Sequence, residues 1–367
     1  MTRFWLGGYG PAMEGSAEGI GVLAGDEGRE ATTLAYRGPV THTPSPSWLS
    51  AHPSLDVVYA ALEGDAAVQA FVRTGEMALS PLGDPVPTGD GVCHLAVSPN
   101  GQTLVASCYG DGRVVRFGLA ADGQLVPAKE DAAAALRAAL FGDGDPDAAP
   151  VTPAGDGIAA NDPYGAADRA SPAHAAAVLP AGRVVTTDLG FDLVRFWRLQ
   201  GGGLALDQEV VLPRGTGPRH MVVHPSGHLH IVTEYSCEVF TLVAAADGTW
   251  SVVSSAPASP IAQVGVDFPA ELARTKDGQF LYTALRGSNT ISAQRVRGSG
   301  EALEPVALAD SGVDWPRHHL VYQGKLLVAG QRSDTVTLLD LDDRTGAPLG
   351  VRHEAQAPAP TSILPLR

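Results

Sequence analysis

Polar residues able to do chemistry fall at two recurring places in this 367-residue sequence. One set opens short apolar segments and contains His94, His174, Arg219-His220, Glu271 and Arg317-His318. The other follows the next apolar segment and contains Tyr9, Glu63, Tyr109, Asp188, Glu234, Arg286 and Gln331. A repeat serving structure alone would put small or apolar residues at many of these positions. Imidazoles and carboxylates of tuned pKa accept a proton from water, and arginine forks stabilise a developing oxyanion or hold an anionic substituent. The equipment fits addition of water to a carbonyl, and no metal is required.

These residues need a scaffold that brings distant segments together, and the internal repeat supplies one. The unit reads PSWLSAHPSLDVVYAALE from Pro46, VCHLAVSPNGQTLVASCY from Val92 and PAHAAAVLPAGRVVTTDL from Pro172. It returns as PRHMVVHPSGHLHIVTE from Pro218, PAELARTKDGQFLYTALR from Pro269 and PRHHLVYQGKLLVAGQ from Pro316. Successive anchors lie 46, 80, 46, 51 and 47 residues apart, so one interval holds a normal unit plus an insertion. Each unit reads as about four strands; after Gly112, RVVRFGL is followed by an Asp122-Gly123 turn and a weaker polar strand. PTSILPLR from Pro360 resembles an opening strand that stops short, and FWLGGYG from Phe4 parallels LVASCYG from Leu104. Joined, the two ends make a composite seventh unit, and closure removes the free sheet edges. The expectation is a single all-β domain over residues 1–367: a seven-bladed β-propeller with four-stranded blades, its ring closed by strands from both termini. The insertion, at about 128–165 in the third blade, reads as a short helix over Lys129–Phe141 followed by a Gly/Pro/Asp-rich loop.

Composition agrees. With 43 Gly and 28 Pro spread without a short period, helical bundles, coiled coils and collagen are excluded. A formal net charge of −15 argues against nucleic acid and anionic membrane surfaces as partners, without excluding a small anion held by a few inward arginines. Cys93, Cys108 and Cys237 are too few and scattered for a disulfide framework and read as buried apolar residues in a reducing compartment. No apolar run has the length of a signal peptide or membrane span, so a soluble, cytoplasmic protein is expected. His224, His228 and His230 lack a carboxylate or Cys to complete a metal set, and Gly7-Gly8 has neither the spacing nor the helix of a phosphate loop.

Three stretches carry a family resemblance. GTGPRHMVVHPSGHLHIVTEYS (Gly215 to Ser236) is similar to the Gly-Pro-Arg-His segment of the seven-bladed propeller lactonases, which include bacterial 6-phosphogluconolactonases and fungal carboxy-muconate lactonizing enzymes. ELARTKDGQFLYTALRGSNTI resembles the family's next blade, with Arg286 at its Arg-Gly. WPRHHLVYQGKLLVAGQRSDTVTLLDLD resembles the last, including Gln331 and Ser333-Asp334. The resemblance implies catalytic roles for His174, Arg219, Glu234 and Arg286, with Glu234 or His174 taking the water proton. Tyr9, Glu63, His94, Tyr109, His220, Glu271, Arg317, His318 and Gln331 become substrate contacts. It departs from the family at Pro172, where many members carry the first His of a His-x-His pair, and before Glu63 and Glu234, where the usual Asn is missing. The implied function is hydrolysis of a sugar lactone, a small anionic one like 6-phosphogluconolactone, by a cofactor-free monomer or homodimer. A muconate-type lactonizing lyase and a non-catalytic ligand-binding propeller are the alternatives.

Overall fold

Segments such as VVYAAL (Val57–Leu62) and KLLVAG (Lys325–Gly330) are buried along their whole length, as strands covered on both faces must be. Segments farther out alternate, as in Ala302–Asp310, because one face meets solvent. A computed structural model describes residues 2–25, 33–127, 162–165, 169–200 and 202–366. In it these strands form seven antiparallel sheets arranged as the blades of a propeller.

The first blade takes its innermost strand, Pro360–Pro365, from the C-terminus and the next three, Arg3–Gly8, Gly19–Gly25 and Leu34–His42, from the N-terminus. Phe4 pairs with Pro365, Trp5 with Leu364 and Leu6 with Ile363, so the ring is closed as the composite repeat predicts. The later blades begin with Pro46–Ala51, Val92–Val97, Ala173–Val178, Pro218–Val223, Phe268–Arg274 and Pro316–Tyr322. The second blade adds a two-residue fifth strand, Val86–Pro87, and the fourth strand of the third blade shrinks to Leu125–Val126.

Blades hold one another through shared apolar layers. Tyr59 and Val68 of the second blade pack with Leu95, Leu104 and Phe117 of the third. Phe4 and Leu23 pack with Leu327, Val336 and Leu338 across the closure. Cys93, Cys108 and Cys237 are buried free thiols. No helix among the described residues is long and apolar enough to cross a membrane.

The insertion leaves after Leu125–Val126, and the chain returns to the ring at Ala173–Val178. The helix and loop expected there lie outside the described residues, except at 162–165. At that end Arg169 bridges Asp162 (2.9 Å) and Asp192 (2.5 Å), and Tyr164 donates to the Leu212 carbonyl (2.5 Å).

The fourth blade corrects the repeat alignment by one residue. At the mouth, Glu63, Tyr109, Glu234 and Gln331 donate their backbone N–H to the carbonyls of Ser45, Gly91, Gly217 and Trp315. In the fourth blade the bond runs from Leu189 to Pro172. Pro172 is therefore the counterpart of Gly217, not of Pro218, and His174 is the counterpart of Arg219 and Arg317, not of His220. Asp188 moves away from the mouth and into a buried pair with Arg195 (2.6 Å). The reason is local: Ser45, Gly91, Gly217 and Trp315 all have positive φ, which proline's ring forbids.

Candidate active site

Two layers of side chains meet on the propeller axis. The lower layer comes from the third residue of four innermost strands, Trp48, His94, His220 and His318, and from Glu271, the fourth residue of Phe268–Arg274. The Trp48 ring lies 4.3 Å from His94, 5.5 Å from His220 and 5.2 Å from His318, and His94 lies 5.3 Å from His220. Rings from four blades close the channel as a plug. His94 Nδ1 accepts from the N–H of Ala176 (3.2 Å) and His318 Nδ1 from that of Ile363 (3.3 Å), so these imidazoles stitch neighbouring blades. Burial holds His94 and His318 down to about 3 and His220 well below the usual histidine range. Burial also holds Glu271 well above the usual carboxylate range, and its Oε1 lies 3.1 Å from His220 Nδ1. The plug is thus neutral, as a desolvated layer must be.

The upper layer comes from the second residue of six innermost strands and from the ends of the second strands and the loops that follow them. Ser47, Cys93, His174, Arg219, Arg317 and Thr361 line a narrow recess with Glu63, and Trp48 is its floor. Arg219 Nε lies 2.8 Å from Glu234 Oε2, and Arg286 Nη2 lies 2.9 Å from the same oxygen. Arg219 also donates Nη1 to the Ala270 carbonyl, and Arg286 donates Nε to that of Phe268 (2.9 Å). Among the described residues, Nη2 of Arg219 and Nη1 of Arg286 have no protein partner, so each arginine is anchored with one terminal nitrogen to spare.

Across the recess Tyr9 donates to Glu63 (3.0 Å to Oε2) and lies under the Arg317 guanidinium (4.8 Å), which donates to Gln331 Oε1 (3.3 Å). Tyr109 stands half-exposed at the rim with its ring 6.1 Å from His174.

Electrostatics separate the two base candidates. Burial would raise the Glu234 carboxyl, but Arg286 and Arg219 outweigh it and hold the group below its usual value. Burial, then Arg219 and Arg317, push His174 well below the usual histidine range, so it is neutral, and its buried Nδ1 has no hydrogen-bond partner among the described residues. Burial and the neighbouring Arg219 lower Arg286 to about 10, still a cation at neutral pH.

The glycines of two motifs have steric reasons. Gly217 has φ +64°, and a Cβ there would sit 2.5 Å from the Tyr235 ring. Gly287 has φ +104°, and its Cβ would sit 2.2 Å from the Val266 carbonyl oxygen. Each flanks an arginine of the site and lets the chain turn tightly beside it.

The fold thus gathers His174, Arg219, Glu234 and Arg286 with Tyr9, Glu63, Arg317 and Gln331 around one mouth. It puts Tyr109 at the rim, and His94, His220, Glu271 and His318 in the plug beneath. Sequence reasoning passed over Ser47, Cys93 and Thr361; aligning each strand's second position with Arg219 and Arg317 would have found them. It also passed over Trp315, whose ring lies 5.4 Å from the Arg286 guanidinium. The three histidines of HPSGHLHIV lie away from this site. His224 and His228 share the Ser226 hydroxyl (2.6 and 2.8 Å), and His230 bonds Thr241 (3.0 Å).

A family model described as lactonase, 7-bladed beta-propeller, matches residues 3–365. A 6-phosphogluconolactonase from Bacillus subtilis is 24% identical over 99% of this chain and 98% of its own length. The periplasmic gluconolactonase of Pseudomonas aeruginosa superposes with a TM-score of 0.80 at 21% identity, covering 100% of this chain and 99% of that one. A Lactobacillus plantarum protein gives 0.79 at 22% identity with full coverage of both chains. A match from the third residue to within two of the end, on a ring of seven such blades, places this chain in the seven-bladed β-propeller lactonase family.

Proposed function

We propose that the protein is a lactonase that adds water to an anionic sugar lactone of the 6-phosphogluconolactone type. One observation carries the reading. A chain of net charge −15 concentrates Arg219, Arg286 and Arg317 around one recess against two carboxylates, Glu234 and Glu63, and sets a neutral imidazole beside them.

His174 is the better base. Both groups sit below their ordinary values, so neither is a strong base in the free protein; Glu234 is committed to two guanidiniums, whereas the neutral His174 lines the recess with no ion pair. An anionic substrate offsets the charge of Arg219 and Arg317 and so raises the basicity of His174 when the lactone is bound. Water then attacks the lactone carbonyl carbon as its proton passes to His174. The carbonyl oxygen becomes an oxyanion facing the spare donors of Arg219 and Arg286. Collapse of the tetrahedral intermediate breaks the bond between that carbon and the ring oxygen, and the ring oxygen takes the proton back from His174. The product is the open hydroxy acid. Glu234 keeps both arginines aimed and takes no proton.

The test is hydrolysis by the purified protein of phosphorylated and unphosphorylated sugar lactones, each against its spontaneous rate. Acceleration of the phosphorylated lactone supports the reading. No acceleration of any sugar lactone, or action on a muconolactone alone, overturns it.

A further inference from the structure

Arg332 follows Gln331 in the seventh-blade loop at the mouth and is exposed. Its guanidinium carbon stands 3.5 Å from the centroid of the Trp315 ring, and the Arg286 carbon stands 5.4 Å from the same centroid. Among the described residues the Arg332 side chain has no ion pair and no hydrogen bond. The acids nearest in sequence are engaged elsewhere: Asp314 accepts from Asn289 (2.9 Å), and Asp334 from Ser16 (2.8 Å) and the Ala359 N–H (2.6 Å).

The backbone that carries the ring is held in place. Trp315 donates its backbone N–H to Asn289 Oδ1 (3.0 Å), and its backbone carbonyl accepts from the Gln331 N–H (3.2 Å). Trp315 also has φ +60°, in the left-handed region that Gly91 and Gly217 occupy in other blades. A bulky residue is strained there, and such strain clusters where a side chain serves a ligand. A guanidinium stacked on an indole face keeps its edge of N–H donors free, and Arg332 is exposed, which suits a phosphate monoester.

We infer that Arg332, stacked on Trp315, is the residue that reads the phosphate of the substrate. The inference rests on the site being one for an anionic lactone. The two centroid distances bound the guanidinium carbons of Arg332 and Arg286 to within about 9 Å of each other. Both guanidiniums are therefore within reach of one hexose-sized ligand, with its lactone carbonyl at Arg286 and Arg219 and its far-end phosphate at the rim.

The experiment combines calorimetry and kinetics on wild type, Arg332→Gln, Arg332→Lys and Trp315→Leu. Calorimetry uses 6-phosphogluconate and gluconate, neither of which needs hydrolysis. The expected result for Arg332→Gln is about tenfold weaker binding of 6-phosphogluconate, with a matching fall in the ratio of kcat/KM for phosphorylated over unphosphorylated lactone. Arg332→Lys keeps the charge without the planar stack, and Trp315→Leu keeps the charge without its platform; both should fall between. Binding of 6-phosphogluconate within twofold of wild type by Arg332→Gln overturns the inference. So does an equal loss for both ligands, failure of the wild type to bind 6-phosphogluconate, or the same dependence for a muconolactone carboxylate. A wild type that binds 6-phosphogluconate through Arg332 but hydrolyses no lactone leaves the inference standing and defeats the lactonase reading alone.

Discussion

Arg219 Nε, on the innermost strand of the fifth blade, and Glu234 Oε2, in the loop after its second strand, lie 2.8 Å apart. Arg286 of the sixth blade lies 2.9 Å from the same oxygen. One carboxylate therefore aims two guanidiniums from different blades. This arrangement supports the positioning role proposed for Glu234: a group that must stay ionised to hold two cations is poorly suited to accepting a proton.

Replacing it tests that relationship. Glu234→Gln keeps the size and removes the charge, so kcat should fall about 10²-fold through loss of oxyanion alignment while KM changes little. Arg219→Ala should lower kcat and raise KM together, since it removes a donor and half of the carboxylate's charge partners. Steady-state kinetics against the spontaneous rate separate the two patterns.

His174→Asn should cost about 10²–10⁴-fold in kcat, the usual range for a general base. The active form is neutral and His174 lies well below the ordinary value. The acid limb of kcat/KM should therefore fall below the pH at which an exposed histidine titrates. Bound anion offsets Arg219 and Arg317, so the limb of kcat should sit at higher pH than that of kcat/KM. Coincident limbs near pH 6.5, or full activity of His174→Asn, would exclude this base.

The neutral plug makes stability depend on pH in a defined direction. His94 and His318 titrate near 3 in the folded chain against an ordinary 6.5. Below pH 6.5 the unfolded chain binds protons that the folded chain refuses. Stability is thus fully present above that pH and is lost as pH falls toward 3, on the order of 1 kcal/mol per pH unit for each histidine. Glu271 has the opposite sign: its raised value stabilises below the unfolded carboxylate pKa and is lost as pH rises through the folded one. His94→Gln should flatten the acid slope in urea melts between pH 6.5 and 4; an unchanged slope would show that the plug is not its source.

Ring closure is testable at Ile363, which is buried between the first and seventh blades with Leu6 and Ala329. Ile363→Ala should cost about 2–4 kcal/mol in denaturant unfolding. Deleting residues 360–367 should prevent cooperative unfolding altogether, because the first blade loses its inner strand and exposes an edge. A truncated chain with a wild-type midpoint would refute the closure argument.

The amino-acid sequence by itself determined the seven blades, the closure and most of the residues gathered at the mouth. Each rests on local rules repeated many times: apolar runs of strand length, turn residues between them, and termini that complement each other as PTSILP and FWLGG do. Arg219, Glu234 and Arg286 were legible for the same reason, standing where strands meet the mouth. The tertiary structure alone decided the height of each side chain on the axis. His174 and His220 look equivalent in the repeat, yet one lines the recess and the other seals the floor. A one-residue offset at Pro172 reverses the direction of a strand side chain, and only the pairing of Leu189 with Pro172 reveals it. The same holds for Arg332 and Trp315. Their contact depends on a left-handed backbone turn at Trp315 and on the pairing of Gln331 with it, neither of which is written in the local pattern of residues.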